Sequence, residues 1–130
     1  MAAARYLGID MGSRRVGLAT GDSDTKLAQA LKTVVPADLA AAVAAAAPLD
    51  GLVIGLPRGL DGQTTAQTLA VQRWADDLLG DRTEPIYWQD EAGTSGVAED
   101  NLRASGKAYK KEDIDAHAAA IILQDYLNAL

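Results

Sequence analysis

The 130-residue sequence has no cysteine and a single histidine, His117. Without thiols there is no disulfide and no thiolate metal site, and nothing implies an oxidising compartment. With one imidazole, any bound metal must be held by oxygen, which favours Mg2+ or Mn2+ over Zn2+. No apolar run reaches the length of a membrane span. Residues 1–5 lead into a strand-like segment without the apolar core of a secretion signal. These absences predict a soluble, cytoplasmic protein. Positive charge is also scarce: 12 Lys and Arg against 18 Asp and Glu leave a net charge of −6, which as a sum argues against a nucleic-acid partner. The length and the 48% hydrophobic content suit one globular domain over residues 1–130, with no room for a second.

Where the charges lie matters more than their sum. Arg103, Lys107, Lys110 and Lys111 fall between residues 101 and 111 with no acid among them, and Arg14 and Arg15 lie near Asp10. The acids gather elsewhere, at Asp22 and Asp24 and again at Asp76, Asp77, Asp81 and Glu84. That asymmetry permits a basic face on an acidic body; a solvated loop explains the basic run equally well.

Residues 6–21 read as strand, turn, strand. Tyr6 to Asp10 is apolar and ends on a carboxylate, Met11-Gly12-Ser13 offers a tight turn, and Val16 begins a second apolar run. The glycines there permit positive φ and let another group approach the backbone. Asp22 to Thr25 reads as a hairpin turn and Leu27 to Val35 as a third strand, completing an antiparallel meander. Pro36 suits a first helical residue, and the alanine-rich run to Ala47 is helical until Pro48. Its low polarity fits a covered helix or an oligomer contact. Leu52 to Gly55 suits a buried parallel strand. A turn-rich loop over 56–62 precedes a helix from Thr65 to Leu79, stopped at Gly80. Pro85 to Trp88 is a short strand that delivers Asp90 and Glu91 at its C-terminal end. A helix over 95–105, a basic connector over 107–111 and a helix from Glu112 to Asn128 complete the chain. The order predicts an α/β fold: a mixed sheet of three antiparallel strands then two parallel strands, with helices on both faces.

Three carboxylates stand out. Asp10 ends the first strand, Glu91 follows the last, and Asp115 shares one side of the final helix with Ala118, Ala119, Ile122 and Tyr126. A carboxylate heading so apolar a face is destabilising unless a cation meets it. In an α/β sheet the ends of neighbouring strands converge on one crevice, and a crossing helix can deliver a third group there. Carboxylates so gathered repel one another unless protonated or bridged by metal. Two ions about 4 Å apart can activate a water and stabilise the leaving oxygen of a phosphodiester.

Four segments carry a family resemblance. They are LGIDMGSRRVG over 7–17, IGLP over 54–57 with Asp61 and Gly62, Asp90-Glu91 with Thr94, and DAHAAAIIL over 115–123. In this order they resemble the YqgF/RuvX family of Holliday junction resolvases, across nearly the whole chain. The resemblance implies a ribonuclease H-like fold and metal-dependent endonuclease cleavage, with Asp10, Glu91 and Asp115 as the active-site acids. It extends to maturation of ribosomal RNA precursors, so the implied substrate is branched DNA or structured RNA. The chain departs from the family at Ala92-Gly93, where an arginine and a leucine usually follow the Asp-Glu pair, so a cation beside Glu91 is lost.

Within that reading Asp10 bridges two Mg2+ or Mn2+ ions, Glu91 and Asp115 take one each, and Glu112, one turn before Asp115, supplies a fourth oxygen. His117 points about 200° away from Asp115 and suits a surface or interface role. Arg14, Arg15 and Arg58 fit phosphate contacts, with Lys107, Lys110 and Lys111 further out. Trp74 and Trp88 read as packed side chains. Cutting a four-way junction twice favours a homodimer. Two other readings compete: a non-catalytic RNA- or protein-binding module of the same fold, and nucleotide binding. The latter rests on the likeness of IDMGS to the first phosphate loop of the actin, hexokinase and Hsp70 superfamily, whose members close two such domains around ATP.

Overall fold

Alternation along the strands decides which side chains meet which helices. A computed structural model describes residues 3–59, 61–91 and 94–130, the side chains of 94 and 95 aside. Its strands are β1 (Arg5–Met11), β2 (Val16–Asp22), β3 (Gln29–Val34), β4 (Gly51–Pro57) and β5 (Ile86–Glu91). Its helices are α1 (Leu39–Ala46), α2 (Ala66–Leu79), α3 (Thr94–Ala104) and α4 (Lys111–Asn128). The sheet runs β3-β2-β1-β4-β5, antiparallel across β3, β2 and β1 and parallel across β1, β4 and β5. This is the mixed sheet that the sequence predicts.

Leu7, Ile9 and Met11 of β1 face one side, where they join Leu18, Leu52 and Ile54 beneath Leu39 and Val43 of α1 and Val71, Ala75 and Leu79 of α2. Tyr6, Ala19 and Val53 face the other side and pack under Ala119, Ile122, Leu123 and Leu127 of α4. Burying a side chain of this size contributes about 1.5–3 kcal/mol, so these two layers hold the helices on opposite faces.

α4 lies unusually close to the sheet because the strands beneath it carry glycine. A Cβ on Gly8 would stand 2.7 Å from Leu123 Cβ and 2.9 Å from the Ala119 carbonyl oxygen. One on Gly17 would collide with the carbonyl of Asp115. The far end of α4 is held by a tyrosine trio that the sequence reading does not identify. The Tyr126 ring centroid lies 5.3 Å from that of Tyr6 and 5.5 Å from that of Tyr87. Burial, reinforced by Tyr6, pushes the Tyr126 hydroxyl up to about 12.

Several expectations need correction. Pro36 opens a single 3-10 turn over Pro36–Asp38, closed by the Asp38 N–H donating to the Val35 carbonyl at 2.9 Å, before α1 begins. Asp90 and Glu91 lie within β5 rather than beyond it, because the parallel pairing continues through Leu56 with Asp90 and Pro57 with Glu91. Strand β3 begins only at Gln29, opposite Thr20. Trp74 packs against the core as expected, but Trp88, on an edge strand, is 37% exposed. α1 buries Leu39, Ala42 and Val43 and exposes Ala40, Ala41, Ala44 and Ala45, so it is covered on one side only. Lys111 opens α4 instead of ending the connector, and Lys110 is its N-cap, its N–H donating to Asp113 Oδ2 at 2.8 Å. The Ala92-Gly93 departure lies outside the described residues.

Candidate active site

Asp10 is the penultimate residue of β1, the middle strand of the sheet, and stands directly opposite Gly17 of β2. Side chains opposite one another in an antiparallel pair share a face, so the Asp10 carboxyl rises beside the gap that Gly17 leaves. The backbone of Asp115 on α4 occupies that gap. Glu91, the last residue of β5, is on the same face: its Cγ lies 3.2 Å from where a Cβ on Gly55 would stand. The Asp10 carboxyl is pushed up to about 7, first by burial, then by the charge of Glu91, then by that of Asp115. Three acids far apart in sequence therefore bear on one another at one end of the sheet.

Asp115 also has the cation that its apolar surroundings demand. Arg15 Nε donates to Asp115 Oδ2 at 2.5 Å, and that hydrogen bond holds the guanidinium more firmly protonated than usual. The partner comes from the β1–β2 turn; the sequence shows the need for a cation but not which one answers it. Arg58 donates to Asp90 Oδ1 at 2.8 Å and to the Gly62 carbonyl at 3.3 Å, bracing the loop after β4.

Glu112 stands apart from the trio. It is exposed, its carbonyl accepts from Thr33 Oγ1 at 2.6 Å, and its charge acts on Arg15, with no share in the Asp10 shift. His117 faces α3, its Nε2 3.4 Å from Asn101 Nδ2. Arg14, Lys107, Lys110 and Lys111 are all exposed. Clefts of about 320 Å³ and 370 Å³ flank the Arg15–Asp115 pair, the first lined also by Arg14 and the second by Lys111. A larger cleft, about 610 Å³, lies at the opposite end of the strands between α1 and the end of α2. Its Asp76, Asp77, Asp81 and Glu84 outnumber its Arg82, a balance unsuited to phosphate.

The donor set suits a hard divalent cation. It is all oxygen, and a bound cation would relieve the charge repulsion that adds to burial in lifting Asp10. Among the described residues, however, no three acids or imidazoles are drawn together tightly enough to grip one ion, and Asp115 is engaged by Arg15.

Comparison with known proteins identifies the family and the fold. The family model for RuvX, described as Holliday junction resolvase, matches residues 4–129. A Chloroflexus aggregans protein named "Putative pre-16S rRNA nuclease" is 40% identical over 95% of this chain and 92% of its own length. A Synechococcus elongatus protein of the same name is 38% identical over 94% of this chain and 87% of its own. The solved structure of T. thermophilus RuvC in complex with Holliday junction substrate shares the fold, with a TM-score of 0.56 at 16% identity, covering 97% of this chain and 94% of that one. Matched along nearly its whole length, the chain belongs to the RuvX (YqgF) family and is a nuclease, a phosphodiester hydrolase on a RuvC-like, ribonuclease H-like fold.

Proposed function

We propose that the chain is a metal-dependent endonuclease that cuts structured precursor RNA at the Asp10, Glu91 and Asp115 cluster. The observation that carries this reading is the Asp10 carboxyl on the middle strand, lifted to about 7 first by burial and then by two further acids on the same face. Asp10, Glu91 and Asp115 would hold the divalent ion, Mg2+ or Mn2+. When bound, such an ion polarises a phosphodiester oxygen and acidifies an attacking water. The chain's own residues then do three things. Asp10 presents its carboxyl from the middle strand of the sheet, Glu91 and Asp115 flank it from either side, and Arg14 offers a guanidinium to the phosphate backbone from the adjacent turn.

RNA is favoured over branched DNA by the names of the relatives at 38–40% identity, with most of each chain aligned. The family's own description favours a four-way junction, and that reading also calls for a symmetric homodimer able to make two cuts. A panel of pre-16S-like RNA, four-way junction, flap and single strand, incubated with Mn2+, separates them. The RNA is expected to be cut first, and Asp10→Asn to abolish cutting. Retained cutting by Asp10→Asn refutes the site; junction cleavage without RNA cleavage refutes the substrate.

A further inference from the structure

A groove of about 460 Å³ lies on the other side of α4 from the Arg15–Asp115 pair, between the first turns of that helix, the edge strand β3 and the end of α3. Leu31 and Leu102 line it together with the aromatic residues Tyr109 and His117, and Lys32 and Lys107 supply its cations. Leu31 owes its place to an irregularity in β3. Leu18 pairs with Lys32 and Ala19 with Ala30, so Leu31 is the extra residue of a bulge, and it is 48% exposed. A bulge re-aims a side chain that regular pairing would have placed elsewhere. Neither lysine is ion-paired among the described residues. The acids beside them are engaged: Asp113 accepts from the Lys110 N–H at 2.8 Å, and the charge of Glu112 acts on Arg15.

The groove borders the candidate active site. Along one stretch of α4, Ala116 and His117 line the groove while Lys111 and Asp115 line the cleft beside Arg15. Tyr109 joins the two: it lines the groove, and its hydroxyl donates at 3.5 Å to Glu99 Oε2, whose residue lines that cleft. A helix is about 10–12 Å thick, so a strand drawn across the start of α4 reaches from Asp115 into the groove. Bases stack on tyrosine and histidine rings while lysines hold the backbone, and only unpaired bases are free to do so. Resting on the reading of the chain as an RNA nuclease, we infer that this groove binds unpaired nucleotides of the substrate strand beside the cut. Leu31 and Tyr109 meet the bases, and Lys32 and Lys107 meet the phosphates.

The test is fluorescence anisotropy of a short labelled RNA single strand in EDTA, where binding is read and nothing is cut. The wild type should bind the strand at least about fivefold more tightly than an abasic strand of the same length. Leu31→Ser, at an exposed position, and Tyr109→Leu should each remove most of that preference while leaving the abasic strand and a duplex bound as before. Lys32→Gln and Lys107→Gln, also exposed, should weaken both strands alike and each flatten the log–log salt dependence by about one unit. A strand bound no better than its abasic counterpart, or an equal loss of duplex binding in Leu31→Ser and Tyr109→Leu, overturns the groove and leaves the acid cluster standing. An unflattened salt slope in both lysine variants overturns it too. Cutting retained by Asp10→Asn in the panel above overturns the cluster instead, and leaves the preference for unpaired bases in place.

Discussion

Asp10 is in an environment that its neighbours make costly. With its carboxyl lifted from 3.8 to about 7, the folded chain keeps a proton that the unfolded chain releases. Stability contributed by this group is therefore fully present below about pH 4, declines as pH rises towards about pH 7, and is level above that. The whole shift corresponds to about 4 kcal/mol in the metal-free protein. Asp10→Asn is accordingly expected to match the wild type at about pH 4 and to exceed it by about 2–4 kcal/mol at about pH 8. Urea unfolding at the two pH values checks this, and a difference that does not grow with pH contradicts it. Arg14 is exposed on the turn beside Asp10. If it touches phosphate, Arg14→Gln should flatten the log–log salt dependence of RNA binding by about one unit. At this scale the sequence was most legible for acids, because strand ends and helix faces can be counted. It was least legible for their partners: nothing in the chain order distinguishes Arg15, which meets Asp115, from Arg14, which does not.

The element that matters most is α4, and its seat is made of missing side chains. Gly17→Ala places a methyl against the Asp115 carbonyl, which is backbone and cannot rotate aside. The expected loss is about 3 kcal/mol or more of unfolding free energy, read by urea titration. Unchanged stability would mean that α4 does not rest on β2 as described. A second, smaller test lies on the other face. Thr68 shares a reciprocal capping pair with Thr65 at the start of α2 and its hydroxyl also donates to the Pro57 carbonyl, tying the helix to the end of β4. Thr68→Val should cost about 1–2 kcal/mol. Period-two and helical patterns make the strands and helices legible, because burial imposes them. The boundaries of β5 are not, since Gln89, Asp90 and Glu91 read as loop residues and only pairing with β4 draws them into the sheet. The glycines are half legible: they announce close approach, but not that the approaching group is the last helix of the chain.

As a whole molecule the chain joins an acidic body, with net charge −6, to clefts lined by exposed Arg14 and Lys111. Among the described residues no helix is long and apolar enough to cross a membrane. The sheet order was legible because three strands joined by short turns must form a meander and buried runs separated by helices must lie parallel. The path of α4 across β1 and β2 was not, because only tertiary packing sets it. The central claim is that Asp10, Glu91 and Asp115 meet around one divalent site. Crystals soaked in Mn2+ and measured at the manganese absorption edge test it most directly. The account predicts an anomalous peak about 2.0–2.2 Å from an Asp10 carboxylate oxygen and in contact with Glu91 or Asp115 as well. A fully soaked crystal with no peak there, or with its manganese bound elsewhere, contradicts it.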